Sequence, residues 1–164
     1  MTRIGIISDT HSYLDPQVFT YFKEVDEIWH AGDFGSMELI KELAQFKPLK
    51  GVYGNIDNQK IRNEFPENLI FTCEQVKVLM THIGGYPPKY NARVKPLLQQ
   101  EQPQLFIDGH SHILKIMFDE PLRCLHINPG AAGKQGWHKV RTLVRLSIDG
   151  ERLFDCEVIE LGAR

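Results

Sequence analysis

The stretch from Arg3 to Asp57, RIGIISDTHSYLDPQVFTYFKEVDEIWHAGDFGSMELIKELAQFKPLKGVYGNID, alternates apolar runs of strand length with apolar stripes at helical spacing. Arg3 to Ser8 reads as a strand. Asp15 and Pro16 read as a helix entrance, with Val18, Phe19, Phe22 and Val25 as its stripe. Glu27 to His30 gives a second strand and Ser36 a helix cap. Leu39, Ile40, Leu43 and Phe46 then form the stripe of a second helix before a third strand over Leu49 to Tyr53. The order is βαβαβ. Strands joined this way run parallel, and open sheets of this kind take ligands in the crevice beyond the strands' carboxyl ends. The loops that follow strands are therefore the place to look for chemistry.

Leu69 to Cys73 and Val76 to Thr81 flank Glu74 and Gln75 as a hairpin, and Tyr90 to Gln100 is helical in composition, with Pro96 kinking it or marking its start. After Leu105 to Asp108 the pattern turns to strands: Ile113 to Phe118, Leu122 to Ile127, and a long alternating strand with Val140, Thr142, Val144, Leu146 and Ile148 on one face. Asp149-Gly150 predicts a tight turn, with Phe154, Cys156 and Val158 as the inward face of the returning strand. So many strands exceed one comfortable open sheet. The expected fold class is α/β, with two sheets packed face to face and helices outside.

At 164 residues and 18.9 kDa, the chain is read as one domain, residues 1–164. Hydrophobic residues make up 42% and charged residues 24%, which excludes a disordered or collagen-like chain. Nineteen basic against twenty-one acidic residues excludes a broad basic surface, so no stable nucleic-acid complex is expected. No apolar run approaches a membrane span, and Ile4 to Ile7 is too short for a signal-peptide core. Cys73, Cys124 and Cys156 are odd in number and form no C-x-x-C pair, which suits reduced thiols and predicts a cytoplasmic location.

Five short motifs follow predicted strands: Asp9-Thr10-His11, Gly32-Asp33, Gly54-Asn55, Thr81-His82 and Gly109-His110-Ser111-His112. Carboxylate, imidazole and amide donors with no thiolate suit Mn, Fe, Zn or Ni. Residues at i and i+2 of extended backbone point to one side, so Asp9/His11 and His110/His112 each read as a matched pair. Glycines before Asp33, Asn55 and His110 permit tight turns. By chance, roughly 0.4 D-x-H matches but only roughly 0.02 G-H-x-H matches are expected in a chain with this composition. The ordered set carries the signal.

That series, D-x-H, G-D, G-N-x-D, an isolated His after a strand, G-H-x-H and the N-P-G of Asn128 to Gly130, resembles the calcineurin-like metallophosphoesterase superfamily, specifically its small YfcE-type phosphodiesterase branch. The resemblance runs from Asp9 to Gly130. It implies two mixed β-sheets flanked by helices, a four-layer αββα sandwich. It further implies a phosphodiesterase or phosphatase with two divalent metal ions, manganese foremost, with nickel, zinc and iron open. One ion would be held by Asp9, His11, Asp33 and His112, the other by Asp33, Asn55, His82 and His110, with Asp33 bridging. A hydroxide between the ions would attack the phosphoester in line, while Asn55, His82 and His110 position the phosphate. Relatives of this size are often dimers, so a small phosphoester substrate and a homodimer are the expected partners.

Two positions depart from the family pattern. Larger relatives follow the G-N asparagine with a His, paired with an Asp three residues after the bridging one, and this dyad protonates the leaving group. Here Ile56 and Ser36 stand at those places, and the small branch often has Cys where Ile56 is. Diesters and aryl esters with good leaving groups are therefore the expected substrates. A retromer subunit resembles the same fold and uses its surfaces to hold partner proteins, having lost site histidines. Retention of His11, His82, His110 and His112 discriminates against that scaffold reading. Asp57 reads first as a turn residue, His30 and His126 as packed strand residues, and Asn128 to Gly130 as a backbone turn beneath the site. The Gly133 to Lys139 loop reads either as a substrate-side loop or as a solvated hairpin with Trp137 tucked against the domain.

Overall fold

The computed structural model describes residues 1–164. In chain order the elements are β1 (Thr2–Ile7), α1 (Gln17–Tyr21), β2 (Glu27–His30), α2 (Met37–Phe46), β3 (Leu49–Gly51), α3 (Gln59–Glu64), β4 (Asn68–Cys73), β5 (Val76–Thr81), β6 (Gly85–Tyr86), β7 (Lys89–Tyr90), α4 (Lys95–Glu101), β8 (Leu105–Ile107), β9 (Lys115–Asp119), β10 (Cys124–Asn128), β11 (Val140–Asp149) and β12 (Arg152–Ala163). One five-stranded sheet has the order β12-β11-β1-β2-β3, and the other β4-β5-β8-β10-β9. β1, β2 and β3 are parallel, as the crossovers require, and β11 and β12 extend that sheet antiparallel. In the second sheet β5, β8 and β10 are parallel and the edges β4 and β9 antiparallel.

The inner faces enclose one core, with Ile4, Ile6, Trp29, Val144 and Leu146 meeting Val78, Met80, Leu105, Ile107 and Ile127. On the outer face of the first sheet, α1, α2 and α3 bury Val18, Leu39, Leu43 and Ile61 against Ile7, Ile28 and Leu143. On the outer face of the second sheet, Leu98 of α4 packs with Leu79, Phe106 and Cys124. This is the four-layer αββα sandwich of two mixed sheets. Phe22 sets how closely α1 approaches: a Cβ on Gly5 of β1 would stand 2.7 Å from its ring, so the phenyl lies directly on the strand. No helix is long and apolar enough to cross a membrane.

Several local expectations are corrected. The first helix stops at Tyr21, so Phe22 and Val25 pack from the turn after it. The helix expected over Tyr90 to Gln100 begins at Lys95 with Pro96 in its first turn, where a missing N–H costs nothing; Tyr90 belongs to the small β6–β7 hairpin. α3, capped by Asn58, which accepts from Ile61 N, was too short to show a stripe. β11 does not alternate, because Arg141, Leu143 and Ser147 are buried as well as Thr142, Val144, Leu146 and Ile148. It lies between the inter-sheet core on one side and the helical layer on the other. The β11–β12 loop is Gly150-Glu151, since Asp149 still pairs with Arg152. A bulge then places two residues, Asp155 and Cys156, opposite Leu146, with Asp155 at φ 49°. That one-residue slip reverses the faces of β12. Cys156 and Val158 are exposed, and Ile159 and Leu161 are the inward residues.

Candidate metal centre

The loops after β1, β2, β3, β5 and β8 converge at one end of the sandwich, bringing Asp9, His11, Asp33, Asn55, His82, His110 and His112 together from both sheets. Asp9, His11, Asp33, His110 and His112 all take left-handed backbone, with φ between 44° and 71°. Such conformations cost non-glycine residues roughly 1–2 kcal/mol each. Bonds between neighbouring loops hold them there: Asp9 N donates to Gly32 O, His11 N to Asp33 O and Gly109 N to His82 O, each at 3.0 Å. The i, i+2 pairs thus reach the site through strained loops, not through extended pleating. His110 and His112 also separate, His112 joining Asp9 and His11 in one donor group and His110 joining Asp33 and His82 in the other. Two glycines serve close approach more than backbone freedom. A Cβ on Gly54 would stand 2.0 Å from Asp33 Oδ1, and one on Gly109 would stand 2.3 Å from Ser8 Oγ and 2.7 Å from Asp9 Oδ2.

Each carboxylate has one oxygen held by protein donors and one left facing the histidines. Asp9 Oδ2 accepts from Ser8 Oγ at 2.6 Å and from His110 N at 3.1 Å. Its Oδ1 has no hydrogen-bond partner and lies 3.2 Å from His112 Nε2 and 3.8 Å from the Nε2 atoms of His11 and His82. Asp33 Oδ1 accepts from Ile56 N at 3.0 Å, and its Oδ2 lies 3.4 Å from His11 Nε2 and 3.2 Å from His82 Nε2. That oxygen therefore faces an imidazole of each donor group. His82 Nδ1 donates to Ala31 O at 2.7 Å, which turns its Nε2 lone pair into the site. Asn55, on the exposed rim, receives His110 Nδ1 on its Oδ1 at 3.0 Å.

Burial alone would raise Asp9, yet the close imidazoles of His11 and His112 and the charge of His82 hold its carboxyl far below the usual range. Asp33 is depressed in the same way, against its own burial, by His11 and His82. Conversely Asp33, with Asp9, lifts His11 to about 9. Two ionised, largely buried carboxylates demand positive charge. The buried Asp9 Oδ1, His11 Nε2 and His82 Nε2 lack hydrogen-bond partners, and within each donor group the ligand atoms lie within 4.8 Å of one another. Oxygen and imidazole donors in that arrangement fit divalent ions, and a cation would satisfy all three orphaned atoms.

The profile of the calcineurin-like phosphoesterase superfamily domain matches residues 2–151. The chain belongs to that superfamily. A probable metallophosphoesterase of Methanothermobacter thermautotrophicus is 34% identical over 98% of this chain and 93% of its own length. A phosphodiesterase of Methanocaldococcus jannaschii is 29% identical over 78% of this chain and 82% of its own. Among solved structures, an archaeal phosphodiesterase superposes with a TM-score of 0.78 at 23% identity, covering 97% of this chain and 99% of that one. Zinc-complexed Vps29 of Entamoeba histolytica superposes at 0.74 and 19% identity, covering 96% and 98%. At those identities the two structures speak for the fold.

Residues outside the seven explain how this calcineurin-like site is held. Gly32 N donates to His30 Nδ1 at 3.0 Å, which places the ring hydrogen on Nε2, 3.0 Å from Thr10 Oγ1; Thr10 Oγ1 donates in turn to Phe34 O at 3.0 Å. The Asp9 and Asp33 loops are thereby tied through a buried neutral imidazole. Asp57 does more than shape its own turn, since it accepts from Gly54 N, Phe34 N and Gly35 N and so joins the β2 and β3 loops. Asn128 caps its own turn by accepting from Gly130 N, and its amide donates to Gly109 O and Ser111 Oγ, supporting the G-H-x-H loop from beneath. His126 Nε2 donates to Asp108 Oδ1 at 2.7 Å, packed behind the same loop. Ser8 and Thr10 carried no sequence signal beyond standing beside Asp9. Trp137 is not tucked in: its side chain is 99% exposed, while the neighbouring Gly136 and His138 pack against His112.

Burial depresses His30 from the usual 6.5 to about 3. The unfolded chain therefore takes up a proton below pH 6.5 that the native state refuses, so stability falls as pH drops from about 6.5 towards 3. His11, raised to about 9, keeps its full contribution below pH 6.5 and loses it only on the alkaline side. Asp108, raised to about 6 by its burial, acts the other way over part of this range, so the His30 share is read as a difference: the urea midpoint of the metal-free chain is expected to lose more between pH 6.5 and 4.5 than that of His30→Gln. His30→Gln is expected to be weaker at pH 7 but flatter across that interval. An equally steep decline in the variant would place the proton uptake elsewhere.

Proposed function

We propose that the chain is a metal-dependent phosphodiesterase with a dinuclear centre: Asp9, His11, Asp33 and His112 would hold one ion and Asp33, Asn55, His82 and His110 the other. The observation that carries the reading is Asp33 Oδ2, which lies 3.4 Å from His11 of one donor group and 3.2 Å from His82 of the other, closer to both than Asp9 Oδ1 at 3.8 Å. Divalent ions bound there supply Lewis acidity towards a phosphoryl oxygen and lower the pKa of the attacking water. The chain's own residues set the rest. Asp9 and Asp33 keep one oxygen each for the centre because Ser8, His110 N and Ile56 N occupy the other. Ala31 O fixes the His82 tautomer, and the exposed amide of Asn55 stands where it can donate to a phosphoryl oxygen once a substrate arrives. All four histidines that the scaffold branch loses in part are present here and converge, which favours catalysis over partner binding alone.

The substrate in this reading is a small phosphoester, and manganese is the ion to test first, with nickel, zinc and iron as alternatives. Chelator-treated protein restored with manganese is expected to hydrolyse an aryl phosphodiester at least about tenfold faster than the corresponding monoester. His112→Ala, which removes a donor 3.2 Å from Asp9 Oδ1, is expected to abolish that turnover. Absence of turnover with manganese, nickel, zinc and iron alike would overturn the hydrolase reading. Faster hydrolysis of a sugar monophosphate than of an activated diester would overturn the diester preference.

A further inference from the structure

The crevice at the strand ends continues past Asn55 and His82 into a cleft of about 260 Å³ walled by Tyr53, Arg62, Glu67 and Arg93. Both guanidinium groups are fixed before any ligand arrives. Arg62 Nε donates to Asp57 O at 2.8 Å and Nη2 to Asn55 O at 3.3 Å, and its guanidinium carbon lies 4.6 Å from the centre of the Tyr53 ring. Arg93 Nη1 donates to Asn68 Oδ1 at 2.8 Å, and Nη2 donates to Thr81 Oγ1 at 3.0 Å and Ile83 O at 3.2 Å. A guanidinium carries five N–H donors. Arg62 thus keeps both Nη1 hydrogens and one on Nη2 uncommitted, and Arg93 keeps one on Nη1. Glu67, 3.5 Å from Arg93 Nε, is the one carboxylate of the wall and leaves it net positive.

We propose that this cleft binds an anionic group, a carboxylate or a second phosphate, carried on the substituent of the phosphoester. The inference rests on the phosphodiesterase reading, because it takes the reacting phosphate to sit at the adjoining donor groups. Of the ten residues that line the cleft only Tyr53 and Ile83 are apolar, and the Tyr53 ring already has the Arg62 guanidinium over it, so an aliphatic or aromatic substituent would find few apolar side chains to meet. Two held cationic forks give an anion charge-assisted hydrogen bonds with little side-chain entropy left to lose. The backbone anchors of Arg62 lie on Asn55 and Asp57, so an anion held there is fixed relative to the loop that carries the Asn55 amide.

The test compares non-hydrolysable probes by calorimetry on the manganese-loaded chain: phosphonobutyrate and propylene bisphosphonate against butylphosphonate. Each acid is expected to bind at least about tenfold tighter than the uncharged chain, the range expected of charge-assisted hydrogen bonds. Arg62→Gln and Arg93→Gln, tested singly, should each shrink that ratio, and together bring it to about twofold or less. If only the bisphosphonate gains, the cleft takes a second phosphate, and if only phosphonobutyrate gains, a carboxylate. Equal affinity of all three probes in the unaltered chain, or no binding by either acid, overturns the proposal without depending on whether a variant folds. A variant that weakens all three probes equally would assign the arginines to the reacting phosphate and overturn it too. Aryl diester hydrolysis measured in parallel separates the two readings, because acid discrimination without turnover keeps the cleft and removes the hydrolase, whereas turnover without discrimination does the reverse.

Discussion

Replacing Asp33 with Asn is expected to lower metal-dependent diester hydrolysis by about 10³-fold or more and to cut the bound metal from two ions to one or none. The change is nearly isosteric, and the amide can still present an oxygen to Ile56 N, so the β2 loop need not move. What disappears is the negative charge of the oxygen that stands nearer than any other carboxylate oxygen to both His11 and His82, at 3.4 and 3.2 Å. Truncation to Ala would confuse this loss with a void beneath Gly54, whose backbone packs directly on the Asp33 carboxylate. A readout independent of turnover comes from the metal-free protein, where Asp33 is the largest cause of the rise of His11 to about 9. In Asp33→Asn that imidazole is expected to titrate closer to its usual 6.5, followed by NMR. Full activity with two ions retained would show that the donor groups act separately, and the dinuclear reading would fall.

Much of this arrangement was legible in the sequence because its determinants are local. The stripe Leu39, Ile40, Leu43 behind the Ser36 cap, and the apolar runs of β1 and β2, need only period and chain order to be read. The same holds for the site: strand-end loops must converge in a sandwich of crossovers, so an ordered series of donors after strands already predicts a common crevice. What the sequence hid depends on geometry between distant residues. The bulge at Asp155 and Cys156 leaves no compositional mark, yet it exchanges Val158 for Ile159 as the buried residue. The division of His110 and His112 between two groups follows from left-handed backbone that an i, i+2 rule does not anticipate. His30, Asp57 and Asn128 support the site through bonds to loops remote in sequence, and only the assembled loops show it.

The chain's own departures from its superfamily give the other large effect, a steep dependence of rate on the leaving group. Ser36 Oγ is occupied as a helix cap, accepting from Leu39 N at 3.3 Å, and no carboxylate stands in its place to polarise a partner imidazole. Ile56 is 47% exposed at the rim and offers only its backbone N–H, already given to Asp33 Oδ1. Nearby histidines do not substitute readily. Burial lowers His110, whose Nδ1 is engaged with Asn55, and burial lowers His138, whose Nε2 is engaged with Gly133 O. On the proposed reading the ester oxygen departs without a proton from these residues, and forfeited acid assistance is worth ~10² to 10⁴ in rate. Across a series of aryl diesters, kcat/KM is expected to fall steeply as the leaving phenol becomes less acidic, with alkyl esters turning over slowest. Ser36→Asp with Ile56→His should flatten that slope by accelerating the poorest leaving groups, by as much as ~10²-fold, while barely changing nitrophenyl esters. The selectivity of the gain is the diagnostic, because a general repair of binding would raise the whole series together. A shallow slope in the unaltered chain would mean that a proton does reach the ester oxygen, and would point to His138, edge-on to His112 with its Nδ1 unpartnered, as the group to replace next.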